Sequence, residues 1–202
     1  MKRWIVLFSL LIFPFLTTTQ LPEPRIIKTP DYFDRWERSF FISELKYEIS
    51  EILFDIMYFD VYGINDDHLY FMEQQRQIYD IPKNIYYRLV FKESWFGRFI
   101  LSPVGARGYM QIMPPTFKWI KDRYKLDISD INDPFDNISA GTFYLNLMKE
   151  WVDIQYPNEP DEYRWKRALA SYNAGYSVHY RAMYRYNETI NYVKFILASN
   201  DN

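Results

Sequence analysis

Apolar positions in this chain recur mostly at helical spacing. Phe41, Leu45, Ile49, Ile52, Ile56 and Phe59 follow one another at steps of three or four and make a single stripe that Gly63 closes. A second, short helix is predicted over residues 67–79. The next begins at Ile81-Pro82, with proline in its favoured first-turn position. There Tyr86, Leu89, Val90 and Glu93 fall at i, i+3, i+4 and i+7, which places a carboxylate on an apolar face. Gly97 is expected to stop this helix. A glycine-bracketed loop then leads to a short extended segment over 109–113, which Pro114-Pro115 terminates, and helix resumes over 116–124. Asp133-Pro134 reads as an N-cap with a first-turn proline, followed by the stripe Phe135, Ile138, Thr142, Leu145, Met148. Two more helices are expected, over 161–172 and from Asn187 onward. The pattern therefore predicts a mainly α fold whose small β element is confined to the middle of the chain.

Domain organisation follows from breaks in this pattern. Lys2 and Arg3 precede an apolar run over residues 4–16 and then Thr17-Thr18-Thr19, which reads as an export signal covering 1–19. The run is shorter than the ~20 residues that span a bilayer. The small residues lack an Ala-x-Ala pattern, so an uncleaved signal tethering the chain to the inner membrane is the alternative. Pro22, Pro24 and Pro30 mark residues 20–30 as a linker. Residues 31–80 read as a helical extension that braces the rest or serves as a binding arm for an envelope protein, and 81–198 as the main domain. The location expected is the periplasm or cell envelope.

Composition narrows the chemistry. With no cysteine, disulfides, thiolate zinc sites, cysteine nucleophiles and an N-terminal lipidated cysteine are excluded. His68 and His179 are too few for a histidine-rich metal site and read as surface or hydrogen-bonded side chains; no metal or cofactor is expected. The spacing of Asp127, Asp130, Asp133 and Asp136 does not match an EF-hand loop, and helix caps in a solvated loop explain it. The formal charge of −2 argues against general nucleic-acid binding. It hides an asymmetry, because residues 44–80 hold nine acids against Lys46 and Arg76, whereas Lys83, Arg88, Lys92, Arg98 and Arg107 surround Glu93. Nineteen tyrosines exceed what a core needs, and their flat faces with hydroxyls suit sugar rings.

A carboxylic acid can protonate a departing oxygen at neutral pH only if its pKa is raised. Burial on an apolar face and the negative end of its own helix both push Glu93 that way, and the basic Lys92 and Arg88 point to other faces. Most glycosidases pair two carboxylates, yet no Asp or Glu occurs between Ser94 and Lys121. With one acid, an N-acetyl group on the substrate itself can stabilise the cation. A buried, purely structural glutamate is the other reading of this position.

Four ordered blocks carry a resemblance: Glu93-Ser94 at a helix end; Ser102-Pro103-Val104-Gly105-Ala106-Arg107-Gly108-Tyr109-Met110-Gln111-Ile112-Met113-Pro114; Ala170-Ser171-Tyr172-Asn173-Ala174-Gly175; and Glu188-Thr189-Ile190-Asn191-Tyr192-Val193. Together they make the chain similar to the lytic transglycosylase SLT domain family of the lysozyme-like superfamily. The resemblance implies an α+β lysozyme-like fold and a monomer acting on peptidoglycan glycan strands. It also implies cleavage between N-acetylmuramic acid and N-acetylglucosamine with 1,6-anhydro ends, Glu93 serving as acid and then base. Ser102, Gln111 and Tyr192 would hold the sugar or orient Glu93, and Met110, Tyr172 and Asn173 would line the groove. Tyr109, Ile100 and Ser171 depart from the usual leucine, small residue and alanine. A lysozyme-like hydrolase admitting water and a non-catalytic wall-binding scaffold are the alternatives.

Overall fold

The computed structural model describes residues 35–53, 63–98, 100–175 and 187–197, with side chains from residue 38. Seven helices lie within them: α1 (Arg35–Leu53), α2 (Asp66–Ile78), α3 (Lys83–Ser94), α4 (Pro114–Tyr124), α5 (Pro134–Gln155), α6 (Asp161–Ala174) and α7 (Asn187–Leu197). The expected signal, linker, Ile56, Phe59 and His179 fall outside the described residues.

Local chemistry sets the ends of these helices. Asn65 opens α2 by accepting hydrogen bonds from the amides of Asp67 and His68 at 2.9 and 3.1 Å. Asp133 caps α5, accepting from the Asp136 amide. The Asp136 carboxylate in turn ties down the preceding loop through Ser129 and the Asp130 amide, so these aspartates are occupied in capping. Pro82 is the N-cap of α3, one place before the first-turn position expected of it. Pro114 and Pro115 open α4, where orphan amides make proline harmless.

The principal packing pairs run α5–α6–α7–α3–α1–α2 and back to α5, with α4 attached to α5. The middle of helix α5 is buried on every side: Asn137, Ile138, Gly141, Thr142, Tyr144, Leu145 and Met148 are all inside. Across the ring of helices, the Tyr86 hydroxyl on α3 meets Thr142 Oγ1 on α5 at 2.8 Å. Helix α1 joins the same core through Ile42, Leu45, Ile49 and Leu53. Between α2 and α3, the buried Glu73 carboxylate receives Arg76, Gln77 and the Tyr87 hydroxyl. Arg76 and the phenol hold that acid below the usual carboxylate range despite its burial. No described helix is long and apolar enough to cross a membrane.

Among the described residues the β content reduces to two antiparallel bridges, Leu101 with Arg107 and Arg107 with Ile112. Of the extended segment expected over 109–113, residues 109–111 form a turn, Ile112 is bridged to Arg107 and Met113 is extended. Gln111 sits at φ 46°, and the amides of Arg107 and Ile112 bond each other's carbonyls at 3.0 Å.

Candidate active site

Helix α3 delivers Glu93 and then ends abruptly. Trp95, Phe96 and Gly97 occupy the left-handed region at φ 52°, 53° and 83°, so the helix stops two residues before the expected glycine. Bulky side chains adopt this conformation at a cost of roughly 1 kcal/mol or more each, and the turn is held by its neighbours. Ser94 Oγ donates to the carbonyl of Tyr109 at 2.8 Å and accepts from the Gly97 amide at 2.9 Å. One hydroxyl thus joins the end of α3 to the loop that follows.

That loop is built around Asn137 of α5. The Asn137 side chain accepts from the Met110 amide at 2.9 Å and donates to the carbonyls of Arg107 and Ile131. Gly108 must be glycine: its φ is 73°, and a Cβ there would lie 2.2 Å from Asn137 Cγ. Gly141 admits Met110 in the same way, since a Cβ would lie 2.2 Å from the Met110 Cβ. At the far end of the loop, Ser102 Oγ accepts from the Ala106 amide at 2.9 Å, and the Gln111 side chain donates to the Gly108 carbonyl at 2.8 Å.

The Glu93 carboxyl lies deep among protein atoms, though the residue keeps an accessible face. Burial pushes its pKa up to about 7, against the opposing pull of the Tyr192 hydroxyl and the Lys92 ammonium. Tyr192, on α7, donates its phenolic hydrogen to Glu93 Oε1. Burial, with Glu93 next in weight, holds the phenols of Tyr172 and Tyr192 well above their ordinary range, so both remain donors. Among the described residues no second carboxylate contributes to the Glu93 shift. The arrangement offers one acid, protonated for about half the time near neutrality, with a phenol ready to hold the carboxylate once the proton has left.

Of the residues expected at the site, Glu93 and Tyr192 meet directly. Tyr172, buried on α6, donates to the Met110 carbonyl at 2.7 Å and so holds the loop. Met110 departs from the role expected of it: its side chain is fully buried, packed in the space Gly141 leaves, and so is part of the core and does not line the groove. Asn173 is exposed and accepts from Thr189 Oγ1 at 3.0 Å, tying α6 to α7. Ser102 and Gln111 bond their own loop, and neither is hydrogen-bonded to Glu93 here.

Three residues not singled out in the sequence take part in this construction. Asn137 organises the loop, Thr189 holds Asn173, and the Tyr144 ring leans on Tyr172 with centroids 5.4 Å apart. The pairing of Asn137 with Gly108 had a sequence signal in the loop glycine alone.

The model of the transglycosylase SLT domain family matches residues 70–194. Curated relatives include a protein named membrane-bound lytic murein transglycosylase F from Shewanella halifaxensis, 37% identical over 85 residues, which cover 42% of this chain and 16% of that protein. A protein of the same name from Vibrio cholerae is 37% identical over 90 residues, 44% of this chain and 15% of the relative. Membrane-bound lytic murein transglycosylase F 2 from Alkalilimnicola ehrlichii is 34% identical over 103 residues, 51% of this chain and 21% of the relative. The chain therefore spans about a fifth or less of the length of these three relatives. No solved structure matches it significantly. With the family match extending from α2 through the Glu93–Tyr192 pair to α7, the chain belongs to the transglycosylase SLT domain family.

Proposed function

We propose that the protein is a lytic transglycosylase of the bacterial envelope, cleaving the β-1,4 bond between N-acetylmuramic acid and N-acetylglucosamine in peptidoglycan. The observation that carries this reading is the Glu93 carboxyl, lifted to about 7 by burial and touched by the Tyr192 phenol. Family membership and the names of the curated relatives support the substrate class.

The chemistry runs through one proton. Protonated Glu93 gives it to the glycosidic oxygen as the bond to the muramic C1 breaks. The carbonyl oxygen of the muramic N-acetyl group closes on C1 and holds the positive charge. The Tyr192 hydroxyl stabilises the carboxylate left on Glu93. That carboxylate then takes the proton from the muramic C6 hydroxyl, O6 bonds to C1, and the N-acetyl group is released. The product is a 1,6-anhydro ring, water is not consumed, and Glu93 is protonated again.

Mass spectrometry of murein digested with the purified protein tests this reading. Anhydromuramic ends are expected, and Glu93→Gln should release none. Reducing ends would assign a hydrolase on the same acid. Absence of any release would leave a wall-binding scaffold.

A further inference from the structure

The strained turn after Glu93 carries two bulky left-handed residues, and its grip on the rest of the molecule converges on Tyr109. The Tyr109 carbonyl accepts from Ser94 Oγ at 2.8 Å. Its ring lies against Gly97 so closely that a Cβ there would sit 2.7 Å from Tyr109 Cε1. Its hydroxyl meets His68 Nδ1 at 2.9 Å. His68 is fixed in turn: its amide donates to the α2 cap Asn65, and its ring stands edge-on to Tyr109 and Phe135 with centroids 5.4 and 5.2 Å apart. Phe71 packs on Phe135 as well, so the cluster spans α2, the start of α5 and the end of α3.

We infer that Tyr109 and His68 form a clamp that positions Glu93, Tyr109 through the left-handed turn and His68 through Tyr109. The inference rests on the reading of Glu93 as the acid. Neither residue is hydrogen-bonded to Glu93, whose carboxyl takes its hydrogen bond from Tyr192, so both are positioning residues. An apolar side chain at 109 would fill the same space against Gly97, but it would leave the tilt of the loop to packing alone. The phenol–imidazole bond adds a direction, linking the turn to α2. Burial pushes the His68 pKa down and that of Tyr109 up. Near neutrality the pair is therefore uncharged, joined by one hydrogen bond between the phenol oxygen and Nδ1.

The test compares the purified protein with Tyr109→Phe, His68→Phe and the double variant, all of which keep a ring at each position. Two readouts need no turnover: hydrogen exchange of the Gly97 amide, and NMR titration of the Glu93 carboxyl, assigned with Glu93→Gln. Loss of one hydrogen bond predicts Gly97 exchange faster by roughly threefold to tenfold, with the Glu93 midpoint moving toward the ordinary carboxylate range. The kcat on murein should fall by a similar factor with KM unchanged, and the double variant should be no worse than either single one. Unchanged Gly97 exchange and Glu93 titration in folded Tyr109→Phe overturns the clamp, as do additive single effects. Wild-type protein that releases nothing from murein refutes the acid reading, while exchange and titration still decide the clamp.

Discussion

Tyr172 gives its phenolic hydrogen to the main-chain carbonyl of Met110, 2.7 Å away, and not to the acid beside it. Tyrosines on two helices thus divide the work: that of α6 holds the loop and that of α7 holds Glu93.

Tyr172→Phe should accordingly act first on stability. The Met110 carbonyl loses its phenolic donor in a dry setting, which costs about 1–3 kcal/mol. Urea unfolding should show the loss with the slope of the transition unchanged, and murein release should fall less than in a Tyr192 variant.

Tyr192→Phe removes the hydrogen bond that favours ionised Glu93. The Glu93 pKa should rise above about 7, moving the alkaline limb of the pH–rate profile to higher pH. The carboxylate formed in the reaction also loses its partner, so kcat should drop by roughly ten- to a hundredfold. Rates of muropeptide release measured across pH 5–9, taken as an order-of-magnitude span around the titration, check both effects.

Glu93→Gln should stabilise the fold at alkaline pH while abolishing release. A folded pKa of about 7 lies above the ordinary glutamate value of 4.5. Below the lower value both states hold the proton and the group contributes nothing. Between the two values the unfolded chain ionises first, so stability falls as pH rises, and the deficit is complete above the folded pKa. Discounted for the accessible face of the residue, the deficit is about 1–3 kcal/mol. Denaturation of the variant should match wild type near pH 4 and exceed it by about that amount near pH 8, the two ends of the linkage.

Asn137→Ala should loosen the loop without emptying the core. Three main-chain groups, the Met110 amide and the Arg107 and Ile131 carbonyls, lose their side-chain partner. A loss of about 2–4 kcal/mol is expected, with faster hydrogen exchange at Met110. Gly108→Ala, which drives a methyl into the same amide, should be at least as damaging.

Much of the helical frame was legible because its signals are local. Asp133-Pro134 marks the start of α5, and the α3 stripe correctly set Glu93 beside buried Tyr86, Leu89 and Val90. Trp95 and Phe96 carry no mark of the left-handed turn; only Gly97 does, and so the helix end was read two residues late. Met110 and Asn137 could not be sorted by pattern, since a methionine suits core and groove alike, and an asparagine on a helix suggests its wet side. Helix α5 has no wet side over most of its length. The meeting of Tyr192 with Glu93 came from family resemblance, because no periodicity links positions so far apart.

That separation has a bearing on when the acid acquires its partner. Helix α7 packs on α3, and the phenol it contributes lies 99 residues downstream of the acid. A polypeptide emerging in order would carry Glu93 through about half of its synthesis with neither the packing nor the donor that α7 brings. Completion of the pair therefore waits on the docking of the final described helix, and a product truncated before Asn187 should lack the Tyr192 donor to Glu93.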